Sequence, residues 1–443
     1  MSEKILVIGA GMAGIMAART LHDAGYNVTV LEARDRLGGR THTDNSLGNT
    51  VDLGAAWIHG PDGNPLTPLA EQLGVARGDT DFLNRSGTAV QAYTHNGTPL
   101  NMTEYTQGQL LADAAFLKAK ASILYMPPAQ AHSLKDLIEH GLPQPENMTE
   151  TEKLGFHYWS VIRAEYSDAS DWDLINWDLL VNRYVKLPGG DLLLHGGGYK
   201  VLVDHLADGL DVRVETAVSH ITTTPNQVHI QTNHGPFTAT RVIITLPLGV
   251  LKSGAVQFTP SLSQAKQKAI QRIGFGNYEK LAMRFDKFQW PQDKQRFNYL
   301  SDGEPSLFNA WLNIGYYTGT PIIVAYHAGR RARLINQWSD GELLEHALTV
   351  MQRIFGDNGF GHISAPAAYV RTNWQNDPFS SGSYSSDQIG QLPTDRQILA
   401  QPIGQQLFFA GEATHPHFYA TVHGAYETGV RAAREVARVI NET

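Results

Sequence analysis

The apolar positions of this chain change period along its length, and those changes outline its organisation. Residues 5–8 (Ile-Leu-Val-Ile) form an unbroken apolar run of the length expected of a strand buried on both faces. Glycines at 9, 11 and 14 then open a stretch of helical periodicity that reaches Gly25, and a second apolar run at 28–31 ends on Glu32. A helix closed by a glycine, which tolerates the left-handed cap conformation, is expected between the two strands. From 75 to 185 the strand and helix alternation disappears. Helical periodicity there covers 109–125, stopped by Pro127-Pro128, then 134–140 with Ser133 as candidate N-cap, then 150–165. Gly196-Gly197-Gly198 opens a helix through Leu206, followed by expected strands at 212–214, 228–231 and 242–245 and a helix from Ser263 to Gly274. Strands are expected at 280–285, 307–312, 322–327 and 367–374, with one long helix at 331–355 between the last two. An apolar strand from Leu407 runs into Gly411-Glu412, and residues 420–429 open the terminal helix. No internal repeat or low-complexity segment interrupts this order, which predicts an α/β protein with a second, α+β part built on a mixed sheet flanked by helices.

Gly9, Gly11 and Gly14 fall on the G-x-G-x-x-G spacing between a strand and a helix. The first glycine permits the tight turn, the second lets backbone approach a pyrophosphate, and the third lets helix and strand pack while the helix N-terminus faces the anion. Glu32 at the end of the next strand suits the ribose hydroxyls of an adenosine and repels a 2'-phosphate. Acidic residues (43) exceed basic ones (35) for a net charge of −8, which argues mildly against nucleic acid and is compatible with a cationic small substrate. Cysteine is absent, which removes disulfides, thiolate metal sites, redox dithiols and any cysteinyl cofactor link; no metal site is expected. The first strand begins close to Met1 and no apolar run approaches about 18 residues, so a cytoplasmic protein without signal peptide or membrane span is expected. Glu165, Asp168, Asp171, Asp173 and Asp178 form an acidic run free of Lys and Arg, expected to be a solvated face, with a rim that guides polycations as the sharper alternative.

Two further strings carry a family resemblance: Glu32-Ala33-Arg34-Asp35-Arg36-Leu37-Gly38-Gly39-Arg40 and Asp52-Leu53-Gly54-Ala55-Ala56-Trp57-Ile58-His59-Gly60. They resemble the flavin amine oxidases, which include monoamine oxidase, polyamine oxidase and the lysine-specific histone demethylase. The resemblance is specific at the two ends of the chain and around Lys280 and Trp374; the helical insert matches by character alone. It implies a discontinuous Rossmann-like FAD-binding domain (residues 1–75, 190–270 and 385–443) and a substrate-binding domain (76–189 and 271–384). Implied FAD contacts are Gly9, Gly11, Met12, Ala13, Gly14, Glu32, Ala33 and Arg34, the doublet Gly38-Gly39 with Arg40, and Gly54, Ala55, Ala56 and Trp57. Val218 would meet the adenine end through its backbone, Glu412 beside Gly411 the ribityl chain, and Thr421 and Val422 the flavin O2 region.

For catalysis the resemblance assigns Lys280 a water held against flavin N5, Trp374 a place near the ring, and Tyr384 one wall of an aromatic slot. Ser383 stands where flavinylated monoamine oxidases carry cysteine, which predicts noncovalent FAD. Thr421 replaces the second slot tyrosine, as in polyamine oxidases and the demethylase, and His59 matches the histidine that meets substrate in animal-type polyamine oxidases. Against these stand plain structural readings: a solvated lysine at a strand start, a tryptophan packed in a core, a satisfied histidine. The implied reaction is oxidation of an amine, most like a polyamine, to an imine by hydride transfer to N5. Hydrolysis to an aldehyde and a smaller amine and reoxidation by O2 to hydrogen peroxide follow. The partners are a small amine and O2, without nucleic acid; no room for a long helical hairpin insert is left, so a demethylase role is not expected. The rivals are an oxidase of a monoamine or an amino acid, the latter needing an arginine aimed into the pocket, and a flavin-binding scaffold without turnover.

Overall fold

The computed structural model describes residues 3–123, 133–136, 148–177, 179, 185–300 and 307–442, apart from 83 and 85. The expected ends of the helices at 124–125 and 137–140, the prolines at 127 and 128, and Asp178 lie outside the described residues. The protein is mixed α/β, built on several sheets.

Residues 5–8 are buried as a strand must be when both its faces are covered, and Lys4–Ile8 lies at the centre of a five-stranded parallel sheet. The order across it is Leu407–Phe409, Arg241–Ile244, Lys4–Ile8, Asn27–Leu31 and Asp211–Arg213. The helix Met12–Asp23 leaves the central strand and closes at Gly25, whose φ of 84° is the left-handed cap expected of it. The terminal helix Val422–Glu442 packs on this helix so tightly that a Cβ at Gly429 would sit 2.2 Å from the Ala13 carbonyl oxygen.

A six-stranded sheet follows the order Ala368–Arg371, Tyr278–Arg284, Ile322–Ala328, Ala310–Asn313, Arg296–Leu300 and Val90–Thr94, antiparallel except for its last pair. One face buries Leu281, Met283, Phe297, Trp311 and Ala325 against Leu343, Ala347, Met351 and Ile354 of the helix Asp340–Ile354. The opposite face presents Ala282, Ala310, Leu312, Val324 and Tyr326 to Leu47, Val51, Leu53, Ala56 and Leu193. The register sets Lys280, Tyr326, Ala310 and Asn298 on one rung of that second face, and Ala282, Val324, Leu312 and Arg296 on the next. A small sheet of Trp57–His59, Asp191–Leu194 and Arg77–Asp79 lies beside it.

Several expectations need correction. The single helix at 331–355 is two helices, Gly329–Ile335 and Asp340–Ile354. Ser339 breaks them apart: its hydroxyl accepts from Glu342 N (3.3 Å) while the Glu342 carboxylate accepts from Ser339 N (2.8 Å), a reciprocal capping box. The strand expected at 367–374 ends at Arg371, which leaves Trp374 in the following turn. The helix expected at 150–165 changes its hydrogen-bond spacing midway, with a π-turn at Tyr158–Ile162 between Glu150–His157 and Arg163–Asp168. The acidic run is a solvated face only at Asp173; Glu165, Asp168 and Asp171 are buried. Arg331 pairs with Glu165, and Arg330 and Arg333 with Asp171, so the cations arrive from about 160 residues further along the chain.

Arg396 and Asp387 form an ion pair at 3.0 Å with both side chains 0% exposed. Arg396 also donates to Ser385 Oγ (2.8 Å) and lies 3.8 Å from the Tyr419 ring centroid. Arg396→Met is expected to strand the Asp387 charge in the core at a cost of about 3–5 kcal/mol, read as a lowered thermal midpoint by tryptophan fluorescence. An unchanged midpoint would mean that Asp387 has no need of its partner.

Candidate active site

The first glycine loop has the shape a dinucleotide needs. A Cβ at Gly14 would lie 1.8 Å from Gly9 O, so the glycine is required for helix and strand to meet. Gly11, by contrast, has only Gly38 O within reach of an added Cβ, at 3.9 Å, and caps the helix Met12–Asp23 without any side-chain bond. The N-terminus of this helix thus carries no side-chain cap, the form in which its first turn can face an anion. Glu32 is buried at the end of its strand; its carboxylate accepts from Ala10 N (2.7 Å) and Arg34 N (2.9 Å). Thr216 N donates to Glu32 O (2.7 Å) and Glu215 N to Arg34 O (2.8 Å), which brings the segment holding Val218 alongside Glu32 and Ala33. At the other end Gly411 has φ 123° and nothing within 4 Å of a Cβ position, in a cleft also lined by Arg40, Leu246, Phe409 and Glu412. An elongated dinucleotide cofactor fits this series of bare backbone surfaces.

Arg34 and Arg40 of the Glu32–Arg40 string are structural clamps. Arg34 grips Asp377 with two bonds of 2.7 and 2.8 Å, which ties the Glu32 loop to the turn that follows Trp374. Arg40 donates to Glu412 Oε1 (2.8 Å) and Ser383 O (2.8 Å). Glu412 also accepts from Ser385 Oγ (2.6 Å) and Ala420 N (2.9 Å); although burial opposes it, Arg40 and these bonds hold its carboxyl below the usual range. The Ser383 hydroxyl is committed to the backbone of Tyr278, accepting from its N (2.7 Å) and donating to its O (3.0 Å). Thr421 caps the terminal helix, its hydroxyl accepting from Gly424 N at 3.0 Å, with Val422 the first helical residue.

Lys280 is 3% exposed, so the solvated alternative fails. Its Nζ donates to the carbonyls of Asp52 (2.7 Å) and Gly54 (2.6 Å), in the stretch that continues through Ala55 and Ala56 to Trp57. Burial pushes the Lys280 ammonium below its ordinary pKa, and the Asp52 carboxylate nearby opposes that shift. Burial pushes Asp52 the other way, upward, against hydrogen bonds from Thr43 Oγ1 and Tyr199 N. Around the ammonium stand the rings of Tyr326 (5.5 Å) and Trp57 (5.8 Å). Trp57 meets Phe82 at 5.2 Å and Tyr326 at 6.1 Å, and Tyr278 meets Tyr326 and Tyr166 at 5.7 Å each and Tyr384 at 6.0 Å. Tyr384 donates to Tyr166 O at 2.9 Å.

Trp374 is buried against Leu53 O and edge-on to His42 at 6.4 Å. Glu279, on the opposite side of its strand from Lys280, accepts from Thr372 Oγ1 (2.5 Å), Trp374 N (3.1 Å) and Gln375 N (3.2 Å) and so sets the Trp374 turn. His59 is 43% exposed, bonded through Nδ1 to Asp191 at 2.6 Å and stacked 6.2 Å from Trp57. Sequence reasoning missed Phe82, Tyr166, Tyr278 and Tyr326. Tyr278 could have been found as the i−2 neighbour of Lys280 on the same strand face; the others come from separate segments.

A dinucleotide seat that meets an aromatic chamber and a buried lysine is the layout of a redox enzyme. The profile of the flavin-containing amine oxidoreductases matches residues 12–437. Polyamine oxidase 2 of Arabidopsis thaliana is 35% identical over 98% of this chain and 88% of its own length, and polyamine oxidase 4 of Oryza sativa 32% over 98% and 89%. Lysine-specific histone demethylase 2 of Homo sapiens is 32% identical over 98% of this chain, which spans about half (53%) of the demethylase. The chain belongs to the flavin-containing amine oxidoreductases. It is a flavin-dependent amine oxidoreductase whose FAD is held without a covalent bond, consistent with a chain that has no cysteine and a serine at 383. Among the described residues no helix is long and apolar enough to cross a membrane. Precipitation with trichloroacetic acid is expected to release all the flavin absorbance into the supernatant; yellow colour retained in the pellet would contradict the noncovalent mode.

Proposed function

We propose that this protein oxidises an aliphatic amine of the polyamine kind, converting it to an imine that hydrolyses to an aldehyde and a smaller amine. We also infer that residues 1–75, 190–270 and 385–443 form a Rossmann-like FAD-binding domain and the remainder a substrate domain. Bound FAD supplies the hydride acceptor and returns the electrons to O2 as hydrogen peroxide. The observation that carries the reading is the Lys280 ammonium, buried among the rings of Trp57 and Tyr326 and held by two backbone carbonyls.

The substrate nitrogen must be uncharged to release the hydride from its neighbouring carbon. The walls of Trp57, Tyr166, Tyr278, Tyr326 and Tyr384 exclude water and so lower an amine's pKa in the chamber. Lys280, its own pKa lowered by burial, holds a proton at Nζ and can orient a water there. His59 offers a partly exposed ring that can accept from or donate to a chain nitrogen. Asp168, two residues beyond Tyr166, is buried. Burial, with Asp387 adding and Arg396 opposing, pushes it up to about 7. A second ammonium of a polyamine would favour its charged form. The names of the curated relatives favour the polyamine class over a monoamine. A scaffold without turnover has no use for an ammonium kept in an aromatic chamber.

Lys280→Met is expected to keep bound flavin but slow flavin reduction by amine, or reoxidation by O2, by about 10²-fold, the usual share of a positioned proton-transfer group. Stopped-flow absorbance follows the two half-reactions separately. Wild-type rates in both would remove Lys280 from the mechanism.

A further inference from the structure

Arg296 lies on the same face of the six-stranded sheet as Lys280, one rung over and three strands away, a separation of about 16 Å between backbones at the usual strand spacing and rise. Its guanidinium rests 4.7 Å from the ring centroid of Phe82 and donates weakly to Tyr158 Oη at 3.4 Å. Phe82 in turn packs on Trp57, whose ring is 5.8 Å from Lys280 Nζ. The guanidinium is therefore joined to the Lys280 chamber through one continuous aromatic wall. Its field reaches the hydroxyls of Tyr278, Tyr317 and Tyr326, lowering their pKa against the larger upward push of burial.

What Arg296 lacks is an acid. The arginines that tie distant segments together each grip a carboxylate: Arg34 has Asp377, Arg40 has Glu412, Arg331 has Glu165 and Arg396 has Asp387. Among the described residues no Asp or Glu forms an ion pair with Arg296. A guanidinium presents its donors in a planar fork that matches a carboxylate, and half-buried beside aromatic rings it has lost water that an anion would replace. The same charge opposes a free ammonium at that end of the chamber.

We propose that the substrate is an amine chain that also carries a carboxylate, and that Arg296 is the residue that binds it, as a specificity determinant at the end of the chamber away from Lys280. This rests on the amine oxidase reading and narrows its substrate: the reacting nitrogen lies toward Lys280 and the acid group on Arg296. A simple polyamine then leaves the fork unpaired and faces a like charge.

The test compares matched pairs on the FAD-loaded enzyme, putrescine against ornithine and spermidine against carboxyspermidine, by peroxide release and by anaerobic flavin reduction. The carboxylated member of at least one pair is expected to have the higher kcat/KM. Arg296→Gln should remove that preference, with a loss of roughly 10- to 100-fold for the carboxylated substrate, the range of a lost charged hydrogen bond, and a gain for its plain partner, which no longer faces a like charge. Arg296→Glu should turn the preference toward the plain polyamine, an outcome that a folding defect cannot mimic. Plain polyamines preferred by the wild type, or equal effects of Arg296→Gln on both members of each pair, would overturn the role of Arg296 while leaving amine oxidation intact. If no amine reduces the flavin, the amine oxidase reading itself falls.

Discussion

Everything near the chamber depends on one ammonium held away from water. Lys280 stands on the six-stranded sheet and bonds to the carbonyls of Asp52 and Gly54, which belong to the loop running on from the glycine doublet. Burying an isolated cation costs several kcal/mol, so the bonds that receive it must be well made. Two carbonyl dipoles, two aromatic faces and the nearby charge of Asp52 supply that compensation. In return the loop cannot move relative to the sheet without exposing an unpaired charge to a greasy wall. The lysine is therefore the pin that keeps this loop against the six-stranded sheet.

Three further carboxylates repeat this connection around the same site. Asp377 takes Arg34, Glu412 takes Arg40, and Glu279 gathers the backbone of the Trp374 turn. Each joins residues far apart in the chain, and each lies at least partly out of water, where a charged hydrogen bond is stronger and a broken one more harmful. The aromatic chamber is enclosed by side chains whose backbones are fixed in this way, so its shape follows from electrostatics set just outside it.

Much of the fold was legible because local signals agreed. The apolar run at 5–8, the glycines at 9, 11 and 14, Gly25 and Glu32 each constrain their own few residues, and the structure follows them closely. Lys280 was legible only through resemblance, since nothing local distinguishes it from a lysine at a strand start; its burial depends on a loop more than 220 residues earlier. The acidic run misled for the same reason. Its cations, Arg330, Arg331 and Arg333, lie on another helix, and a scan along the chain sees only like charges. The break at Ser339 was legible in principle, because Ser339 and Glu342 have the spacing of a capping box, but the apolar periodicity on both sides concealed it. The chamber walls at Phe82, Tyr166 and Tyr326 carry no local mark, since which face of an element they occupy is decided by sheet register.

The pair of hydrogen bonds from Arg34 to Asp377 bears on how such a molecule can be re-engineered. Its two ends sit in segments separated by more than 340 positions, one in the loop that follows Glu32 and the other in the turn that follows Trp374. A chimera that imports a foreign nucleotide-binding segment while retaining the native oxidising pocket would mismatch this pair. Grafts between homologues should accordingly transplant both termini of the link together, treating them as one inheritable unit despite their distance in the gene.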